Sequence, residues 1–524
     1  MTRADNLIAK KDSHRGEDMK VRATIHRDFS IARIDDRLYS AFIEHMGRAI
    51  YSGIYEPGHP TANAQGFRRD VMDLVRGLNI PAIRYPGGNF VSAYKWEDGI
   101  GPKEDRPVRL DLAWRSKETN QVGINEFAVW ARDAGIEMML AVNLGTRGIE
   151  EARNFVEYCN HPSGTYWSDL RQSHGVADPY GVKMWCLGNE MDGPWQIGHM
   201  EAKEYGRLAD ETSKAVKAFG SGIETVVCGS SNDEMPTYPD WERQVLEECY
   251  ENVDYVSLHK YFGNTSHNTL NYFAKIEETG RYIQSIAGVI DYVKAKKRAK
   301  NDIYICFDEW NVWYHNRAQD TKNWHSWDWP EAPALLEEDY NLEDAIFVGG
   351  LLNEFIRRSD RVKIACIAQL VNVIAPIRAE RGGKAWATTI YYPYQFASLY
   401  GRGTALNVAV DGPRYDADAA QDVNYLDVAA VLAPDGRSIT VFAINRSLDT
   451  AMDLDLALHG FTDLTLVDHQ VMGGDHTLAR VANTSEDPDR IKPRKGEALG
   501  VEDKAIKGRL PAFSYNVIRL SVGS

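Results

Sequence analysis

Eight short apolar runs recur between residues 38 and 380, and segments with a helical pattern separate them. Each run is apolar at both odd and even positions, which is typical of parallel strands buried on both faces. The segments between them, such as residues 67–78, repeat apolar positions at the i, i+3/i+4, i+7 spacing of a helix with one apolar face. The eight runs are residues 39–45, 80–88, 136–145, 182–190, 225–231, 253–261, 303–310 and 362–373.

This alternation of strands and helices indicates βαβ units with right-handed crossovers. Eight such units predict a (β/α)8 TIM barrel over residues 38–383. The rival fold is an open, doubly wound sheet. Its nucleotide-binding versions are disfavoured, because neither GxGxxG nor GxxxxGKS/T opens a helix in this sequence.

The pattern changes after residue 383, where runs become short or alternating and turn residues are frequent. Such a texture predicts an antiparallel β-sandwich, with a jelly-roll-like fold, over residues 384–524. Residues 20–37 also have a strand pattern and are expected to join this sandwich. Residues 1–19 are expected to form a disordered N-terminal extension.

Composition and charge exclude several classes of protein. The net charge of −15 argues against nucleic acid and anionic membranes as partners. No run approaches the roughly 18 apolar residues of a membrane helix, and residues 1–19 lack the apolar core of a secretory signal. Six cysteines without a CxxC pair favour a reducing compartment over a disulfide framework. The sequence therefore predicts a cytoplasmic protein.

Polar side chains end most of the predicted barrel strands, on the rim where the active site of a TIM barrel lies. The fourth and seventh runs end in the carboxylates Glu190 and Glu309, and Asn189 precedes Glu190. The other candidates at strand ends are Glu44, Arg84, Asn89, His259, Tyr261 and Gln369. We find no Cys/His cluster with metal-ligand spacing and no Ser-His-Asp arrangement, so we expect neither a metal nor a cofactor.

Two carboxylates facing each other across a barrel mouth are the groups that glycoside hydrolysis uses. One donates a proton to the leaving oxygen, and the other attacks the anomeric carbon or activates water. A separation of about 5–5.5 Å would give retention of configuration and about 6.5–9.5 Å inversion. Aromatic residues after the seventh run, including Trp310, suit stacking against sugar faces.

Most of these residues also have a purely structural alternative. The alternatives are an ion pair for Glu309 and Arg84, a buried pair for Glu44, core packing for Tyr261, a sheet-end cap for Gln369 and a turn for Asn89. A strand-end cap would equally explain Glu190, although its pairing with a second strand-end carboxylate favours catalysis.

Six stretches, in order over nearly the whole chain, carry a family resemblance. They are FIEHMGRAIYSGIYEP (42–57), RYPGGNFVSAYKWEDGIGP (84–102), WCLGNEMDGPWQIGH (185–199), HKYF (259–262), FDEWNVWY (307–314) and QLVNVIAP (369–376). Together they resemble the α-L-arabinofuranosidases of glycoside hydrolase family 51. The resemblance implies a (β/α)8 barrel with a β-sandwich built mostly from the C-terminus.

The resemblance also implies a role for each candidate residue. It implies that Glu190 is the acid/base, that Glu309 is the nucleophile and that Asn189 bonds the sugar 2-hydroxyl. The residues implied to hold the furanose are Glu44, Asn89, Tyr261 and Gln369. The residues implied to support the carboxylates are Arg84, His259 and Trp310.

The resulting expectation is an exo-acting, retaining enzyme that removes terminal α-L-arabinofuranose from arabinan and arabinoxylan oligosaccharides. The resemblance further implies a homo-oligomer, often a hexamer. The alternatives are a galactofuranosidase, xylosidase or endoglucanase on the same barrel, since specificity lies in loops. A non-catalytic sugar-binding protein is a further alternative, which the intact carboxylate pair disfavours.

Overall fold

The computed structural model describes residues 19–497 and 499–523. The strands are β1 (Met19–Arg33), β2 (Ser40–Phe42), β3 (Ala82–Tyr85), β4 (Arg109–Asp111), β5 (Ser116–Glu118), β6 (Glu137–Val142), β7 (Met184–Leu187), β8 (Glu224–Cys228), β9 (Tyr255–Phe262), β10 (Tyr304–Val312), β11 (Val362–Ala368), β12 (Ile377–Ala379), β13 (Ala385–Ala387), β14 (Thr404–Asp411), β15 (Arg414–Tyr415), β16 (Val423–Asn424), β17 (Leu426–Leu432), β18 (Ser438–Asn445), β19 (Met452–His459), β20 (Thr462–Gly473), β21 (Arg494–Lys495), β22 (Gly500–Glu502), β23 (Ala505–Leu510) and β24 (Ser514–Gly523).

The α-helices are α1 (Arg69–Leu78), α2 (Ile124–Ala134), α3 (Ile149–Asn160), α4 (Tyr166–Ser173), α5 (Ala202–Lys217), α6 (Asp240–Cys249), α7 (Thr269–Lys297), α8 (Arg317–Ser326), α9 (Leu342–Arg357) and α10 (Tyr391–Tyr400). None of them, in the described part of the chain, combines the length and apolar character needed to cross a bilayer. The predicted extension, residues 1–19, lies outside the described residues except for Met19, which begins β1.

Eight parallel strands close into a barrel, which confirms the predicted TIM barrel. Their order around the barrel is β2, β3, β6, β7, β8, β9, β10 and β11, and β11 pairs with β2 to close it. Each of the eight apolar runs contributes one of these strands. The runs are apolar on both faces because helices cover the outside of the barrel while the strands pack against each other inside.

Helices α1, α2, α5 and α7 bury one face, as their spacing predicted, whereas α9 is buried at nearly every position. Helix α1 buries Val71, Met72, Val75 and Leu78. Helix α10 lies in the segment expected to belong to the sandwich, yet its Tyr391 hydroxyl donates to a carbonyl oxygen of α1 at 2.9 Å. We therefore propose that the barrel unit extends through α10 and that the sandwich begins near residue 401.

The remaining long strands form one ten-stranded sheet in the order β21-β20-β24-β18-β17-β14-β1-β19-β23-β22. Neighbours are antiparallel except β1 and β19, which are parallel. Val21 and Leu454 on one half of the sheet share a hydrophobic cluster with Val441 and Ile518 on the other half. The sheet therefore folds over onto itself, and the predicted second, all-β domain is confirmed. Strand β1 lies between β14 and β19 within it.

The sheet packs against helix α9 on the outside of the barrel. Ile346 and Leu351 of α9 belong to the same hydrophobic cluster as Phe442 and Tyr515 of the sheet. This arrangement leaves the mouth of the barrel to the loops that follow the barrel strands.

Candidate active site

A cavity of about 400 Å³ opens at the carboxyl ends of the barrel strands. Its lining includes six of the predicted site residues: Glu44, Asn89, Glu190, Tyr261, Glu309 and Gln369. Arg84, Asn189 and His259 are buried and hydrogen-bond to members of that lining. The structure therefore brings together nine of the ten residues that the sequence singled out.

Local backbone geometry directs the two carboxylates into the mouth. Strand β7 ends at Leu187, and Gly188 (φ 93°) and Glu190 (φ 43°) both adopt left-handed conformations, so the chain turns sharply there. A non-glycine residue in that region is strained, and such strain is often found at functional sites. In β10 the pairing register with β9 shifts between Cys306 and Glu309, as in a β-bulge, and Glu309 then pairs with His259.

The two carboxylates lie close together. One oxygen of Glu190, one oxygen of Glu309 and a ring nitrogen of His259 all lie within 4.8 Å of one another. Retaining glycosidases place their carboxyl groups about 5–5.5 Å apart, whereas inverting enzymes need about 6.5–9.5 Å to admit a water molecule. The observed approach favours the retaining geometry.

Glu309 is held by two donors. The guanidinium Nη1 of Arg84 donates to its Oε1 at 2.6 Å, and the hydroxyl of Tyr261 donates to its Oε2 at 2.8 Å. His259 and Tyr261 both reach this carboxylate because residues two apart in a strand face the same side. Charge-assisted bonds of this kind stabilise negative charge on Glu309, as a nucleophile requires.

Arg84 connects Glu309 to Asn189 and Asp308. Its Nη2 donates to Oδ1 of Asn189 at 2.7 Å, and its Nε lies 3.1 Å from Oδ2 of Asp308. Burial alone would raise the pKa of Asp308, but the positive charges of Arg84 and His259 lower it below its usual range. Asp308 is thus a buried negative charge beside Glu309, held by Arg84 and His259.

Glu190 has a different environment. Its Oε1 lies 3.0 Å from Nδ1 of His259, and its Oε2 accepts from the indole N–H of Trp195 at 2.6 Å. Burial raises the pKa of Glu190, His259 partly opposes the shift, and repulsion from Glu309 adds to it. A carboxyl whose pKa is raised in this way is suited to general acid catalysis.

His259 is a cation within this cluster. Burial lowers its pKa, but the carboxylates of Glu309 and Asp308 outweigh burial and raise the pKa to about 10. Although Glu190, His259 and Glu309 lie close enough to surround an ion, Arg84 and Tyr261 already occupy both oxygens of Glu309. We interpret the cluster as an ion-paired catalytic site.

A third carboxyl group, that of Glu44, lines the same cavity as the pair. Oε1 of Glu44 accepts from the backbone N–H of Phe90 and from the indole N–H of Trp114, each at 2.8 Å. Gln369 accepts from the Glu44 backbone N–H at 2.9 Å and donates to its side chain at 3.4 Å. Burial, with a contribution from Glu309, raises the pKa of Glu44 to about 8.

Close packing around Glu44 and Asn189 fixes the floor of the pocket. A Cβ atom on Gly88 would collide with the carboxyl oxygens of Glu44, so a glycine is required for this approach. The side-chain amide of Asn189 donates to Oδ1 of Asn89 at 3.1 Å while its own oxygen accepts from Arg84. The bonds to Arg84 and Asn89 therefore fix the orientation of the Asn189 side chain.

Trp310 is the predicted residue that the structure does not bring to the cavity. Successive side chains of a strand point to opposite faces, so Trp310 faces outward when Glu309 faces inward. Its ring is buried and packs against Phe355 at 5.1 Å and Tyr394 at 6.3 Å. It supports the site from the outer face of β10.

Sequence reasoning missed several groups at the site. Trp114 lies in the turn between β4 and β5, a hairpin with no recognisable motif, and it reaches Glu44. No candidate was named from the fifth run, yet Ser231 at its end lines the cavity and its N–H donates to Asp192 at 3.0 Å. Trp195, five residues after Glu190, belongs to the aromatic residues that suit sugar stacking, but its hydrogen bond to Glu190 left no signal in the sequence.

A buried carboxylate pair at the mouth of a (β/α)8 barrel, with amides and aromatic rings around it, defines a glycoside hydrolase. Residues 74–297 match the family model of the α-L-arabinofuranosidase 1 domain, and residues 308–514 match that of the α-L-arabinofuranosidase C-terminal domain. The chain belongs to the α-L-arabinofuranosidases of glycoside hydrolase family 51, which confirms the family resemblance.

Known relatives agree with this assignment over the whole chain. The chain is 51% identical to the intracellular exo-α-(1→5)-L-arabinofuranosidase 1 of Bacillus subtilis, covering 96% of this chain and 99% of that protein. It is 50% identical to the intracellular exo-α-(1→5)-L-arabinofuranosidase of Halalkalibacterium halodurans, covering 95% of this chain and 98% of that protein. The solved structure of a family 51 α-L-arabinofuranosidase from Bifidobacterium longum superposes with a TM-score of 0.91 at 41% identity. The superposition covers 96% of this chain and 100% of that chain.

Proposed function

We propose that this α-L-arabinofuranosidase is a retaining exo-enzyme that uses Glu309 as nucleophile and Glu190 as acid/base. The observation that carries the proposal is the approach of the two carboxylates to within 4.8 Å in a polar cavity. We propose α-1,5-linked arabino-oligosaccharides as substrates, because the similar enzymes from Bacillus subtilis and Halalkalibacterium halodurans are named for that linkage.

In the first step, a carboxylate oxygen of Glu309 forms a bond to the anomeric carbon as the glycosidic C–O bond breaks. Glu190 gives its proton to the departing oxygen, so the leaving sugar is released as a neutral alcohol. The electron pair of the broken bond stays on that oxygen. The products of this step are a glycosyl ester on Glu309 and an ionised Glu190.

In the second step, the ionised Glu190 takes a proton from water, and the water oxygen attacks the anomeric carbon. The ester bond to Glu309 breaks and its carboxylate is restored. The bonds from Arg84 and Tyr261 then stabilise the departing carboxylate. Two inversions at the same carbon give net retention.

The surrounding polar residues are proposed to bind the furanose hydroxyls. Asn189 precedes Glu190 and bonds to Arg84 and Asn89, and we propose that its side chain contacts the 2-hydroxyl and that this contact strengthens in the transition state. Glu44, Asn89, Tyr261 and Gln369 line the same cavity with hydrogen-bonding groups. These groups suit a small polyol ring, since every sugar hydroxyl needs a partner when it is buried.

Exo action is proposed from the aromatic wall of the pocket. The rings of Trp114 and Trp324 lie 5.1 Å apart, where the hairpin of β4 and β5 meets helix α8, and both line the cavity. A pocket walled in this way accommodates a terminal sugar rather than the middle of a chain. We further propose an intracellular location, following the names of the relatives, and a homo-oligomer, following the family resemblance alone.

The stereochemistry of the first product tests the mechanism. Proton NMR of an early time point should show the α-anomer of arabinofuranose before mutarotation, as double displacement requires. In the Glu190→Ala enzyme, azide should trap the glycosyl enzyme as an azide of retained configuration, because azide needs no general base. An initial β-anomer would disprove the retaining mechanism.

A further inference from the structure

Trp195 forms a hydrogen bond to the acid/base that the two-step mechanism does not use. Its indole N–H donates to Oε2 of Glu190 at 2.6 Å. The residue is 50% exposed and lines the active-site cavity, in the loop between Glu190 and α5. Its ring lies against Gly193, where an added Cβ would come within 2.6 Å of ring atom Cε2.

With Trp195 in this position, Glu190 faces two N–H groups, one at each oxygen. His259 faces Oε1 and Trp195 donates to Oε2. Two donors match an ionised carboxylate, which only accepts, whereas the protonated carboxyl must direct its own hydroxyl at the leaving oxygen. Protonation weakens the hydroxyl oxygen as an acceptor, so the bond from one donor is weaker when Glu190 carries its proton.

The two donors differ in their freedom to move. His259 is buried, and its Nε2 lies 3.3 Å from Oδ1 of Asp308, so its ring is held from both sides. Trp195 is half exposed and faces the open cavity. The donor whose bond weakens is thus Trp195.

We propose that Trp195 is a positioning residue that holds Glu190 in its ionised form between the two chemical steps and releases it for proton donation. The inference rests on the proposed role of Glu190 as acid/base. Trp195 acts through Glu190 and not on the reacting atoms. Its effect should therefore appear in the pH dependence of the reaction.

The charged and titratable groups that face Glu190 come from several elements. Strands β9 and β10 contribute His259, Tyr261, Asp308 and Glu309. Arg84 of β3 acts through its bonds to Asn189 and Glu309. The ion pair of Lys260 and Asp233 lies at the rim of the cavity. Replacing Trp195 alters the hydrogen bonding of Glu190 without adding or removing any of these charges. Loss of the indole N–H destabilises ionised Glu190 and so raises the pKa at which it loses its proton.

Trp195→Phe tests the proposal, because it keeps a ring and removes the N–H. The measurement is kcat/KM for α-1,5-arabinobiose against pH, where the alkaline limb reports the loss of the proton from Glu190. Loss of one hydrogen bond to a charged group corresponds to an upward shift of the alkaline limb by about one pH unit. Gly193→Ala should shift the limb in the same direction, since its Cβ pushes the ring away from Glu190.

Trp313→Phe is the matched control. Trp313 lines the same cavity, and its indole N–H has no hydrogen-bond partner among the described residues. Its replacement should leave the alkaline limb in place, whatever it does to the rate. Thermal melting establishes that each variant is folded at the assay temperature.

An alkaline limb that coincides with that of the wild type in Trp195→Phe, or in Gly193→Ala should the first variant not fold, overturns the inference. Glu190→Gln separates this failure from failure of the mechanism. That variant should lose the alkaline limb altogether. If the alkaline limb persists in Glu190→Gln, Glu190 is not the acid. The proposed mechanism is then wrong, independently of the result for Trp195.

Discussion

Glu190→Ala should divide substrates by how much their leaving groups need a proton. The substitution removes the carboxyl group between His259 and Trp195. Glu309 keeps its bonds from Arg84 and Tyr261, so the proposed nucleophile remains in place. An acidic phenol leaves as a stable anion, whereas the hydroxyl of a sugar does not leave without protonation.

The size of the effect follows from the loss of general acid catalysis. A well-placed general acid contributes about 10²–10⁴-fold, which is about 2.7–5.4 kcal/mol of barrier. Burial and the neighbouring Glu309 raise the pKa of Glu190, so the wild-type carboxyl is a better donor near neutral pH than an exposed one. We therefore expect a loss of about 10³-fold or more for α-1,5-arabinobiose and of less than about tenfold in kcat/KM for a nitrophenyl arabinofuranoside.

The assay compares kcat/KM for these two substrates in the wild type and the variant. Glu234→Ala is a suitable control, because Glu234 is an exposed carboxylate at the rim of the same cavity. The control should leave the ratio of the two values unchanged. An equal fall for both substrates in Glu190→Ala would refute the assignment of Glu190 as the acid.

Three further predictions concern other parts of the molecule. Asn189→Ala should lower kcat by about 10²-fold or more with a smaller change in KM, because its contact strengthens in the transition state; steady-state kinetics decide this. Glu44→Gln should be more favourable to stability, relative to the wild type, at pH 8 than at pH 5. The raised pKa of Glu44, about 8, means that the folded protein holds a proton that the unfolded chain releases above about pH 4.3, so wild-type stability falls as pH rises through that window. The measurement is the melting temperature of the variant minus that of the wild type, at pH 5 and at pH 8. The same value at both pH values would contradict the prediction. Arg446→Met should cost about 3–5 kcal/mol in urea unfolding, because it leaves the buried carboxylate of Asp427 with one cationic partner fewer. The kinetics of its folded fraction should remain those of the wild type.

The sequence predicted the barrel well, because a strand buried on both faces has apolar residues at both odd and even positions. All eight apolar runs became barrel strands, and the polar residues at their ends met at one rim. Side-chain direction was harder to predict. Trp310 was grouped with its neighbour Glu309, but strand alternation turns it outward.

Features that depend on tertiary contacts left no comparable signal. The turn that carries Trp114 onto Glu44 has no periodic pattern, so only the folded hairpin reveals the contact. The left-handed conformation of Glu190 is equally invisible in the sequence, although it decides where the carboxyl points. Helix α10 lies in the segment that the sequence assigned to the sandwich, and only its packing against α1 supports the later boundary that we propose.

The most direct test of the account is to identify the residue that carries the sugar during turnover. Glu190→Ala, given an activated aryl arabinofuranoside, should accumulate the glycosyl enzyme, because the base for the second step is missing. Mass spectrometry of peptides from the quenched enzyme should find one arabinosyl group esterified to Glu309. Arabinosyl label on another residue, or its absence from an enzyme that still releases the phenol in a burst, would contradict the central claim.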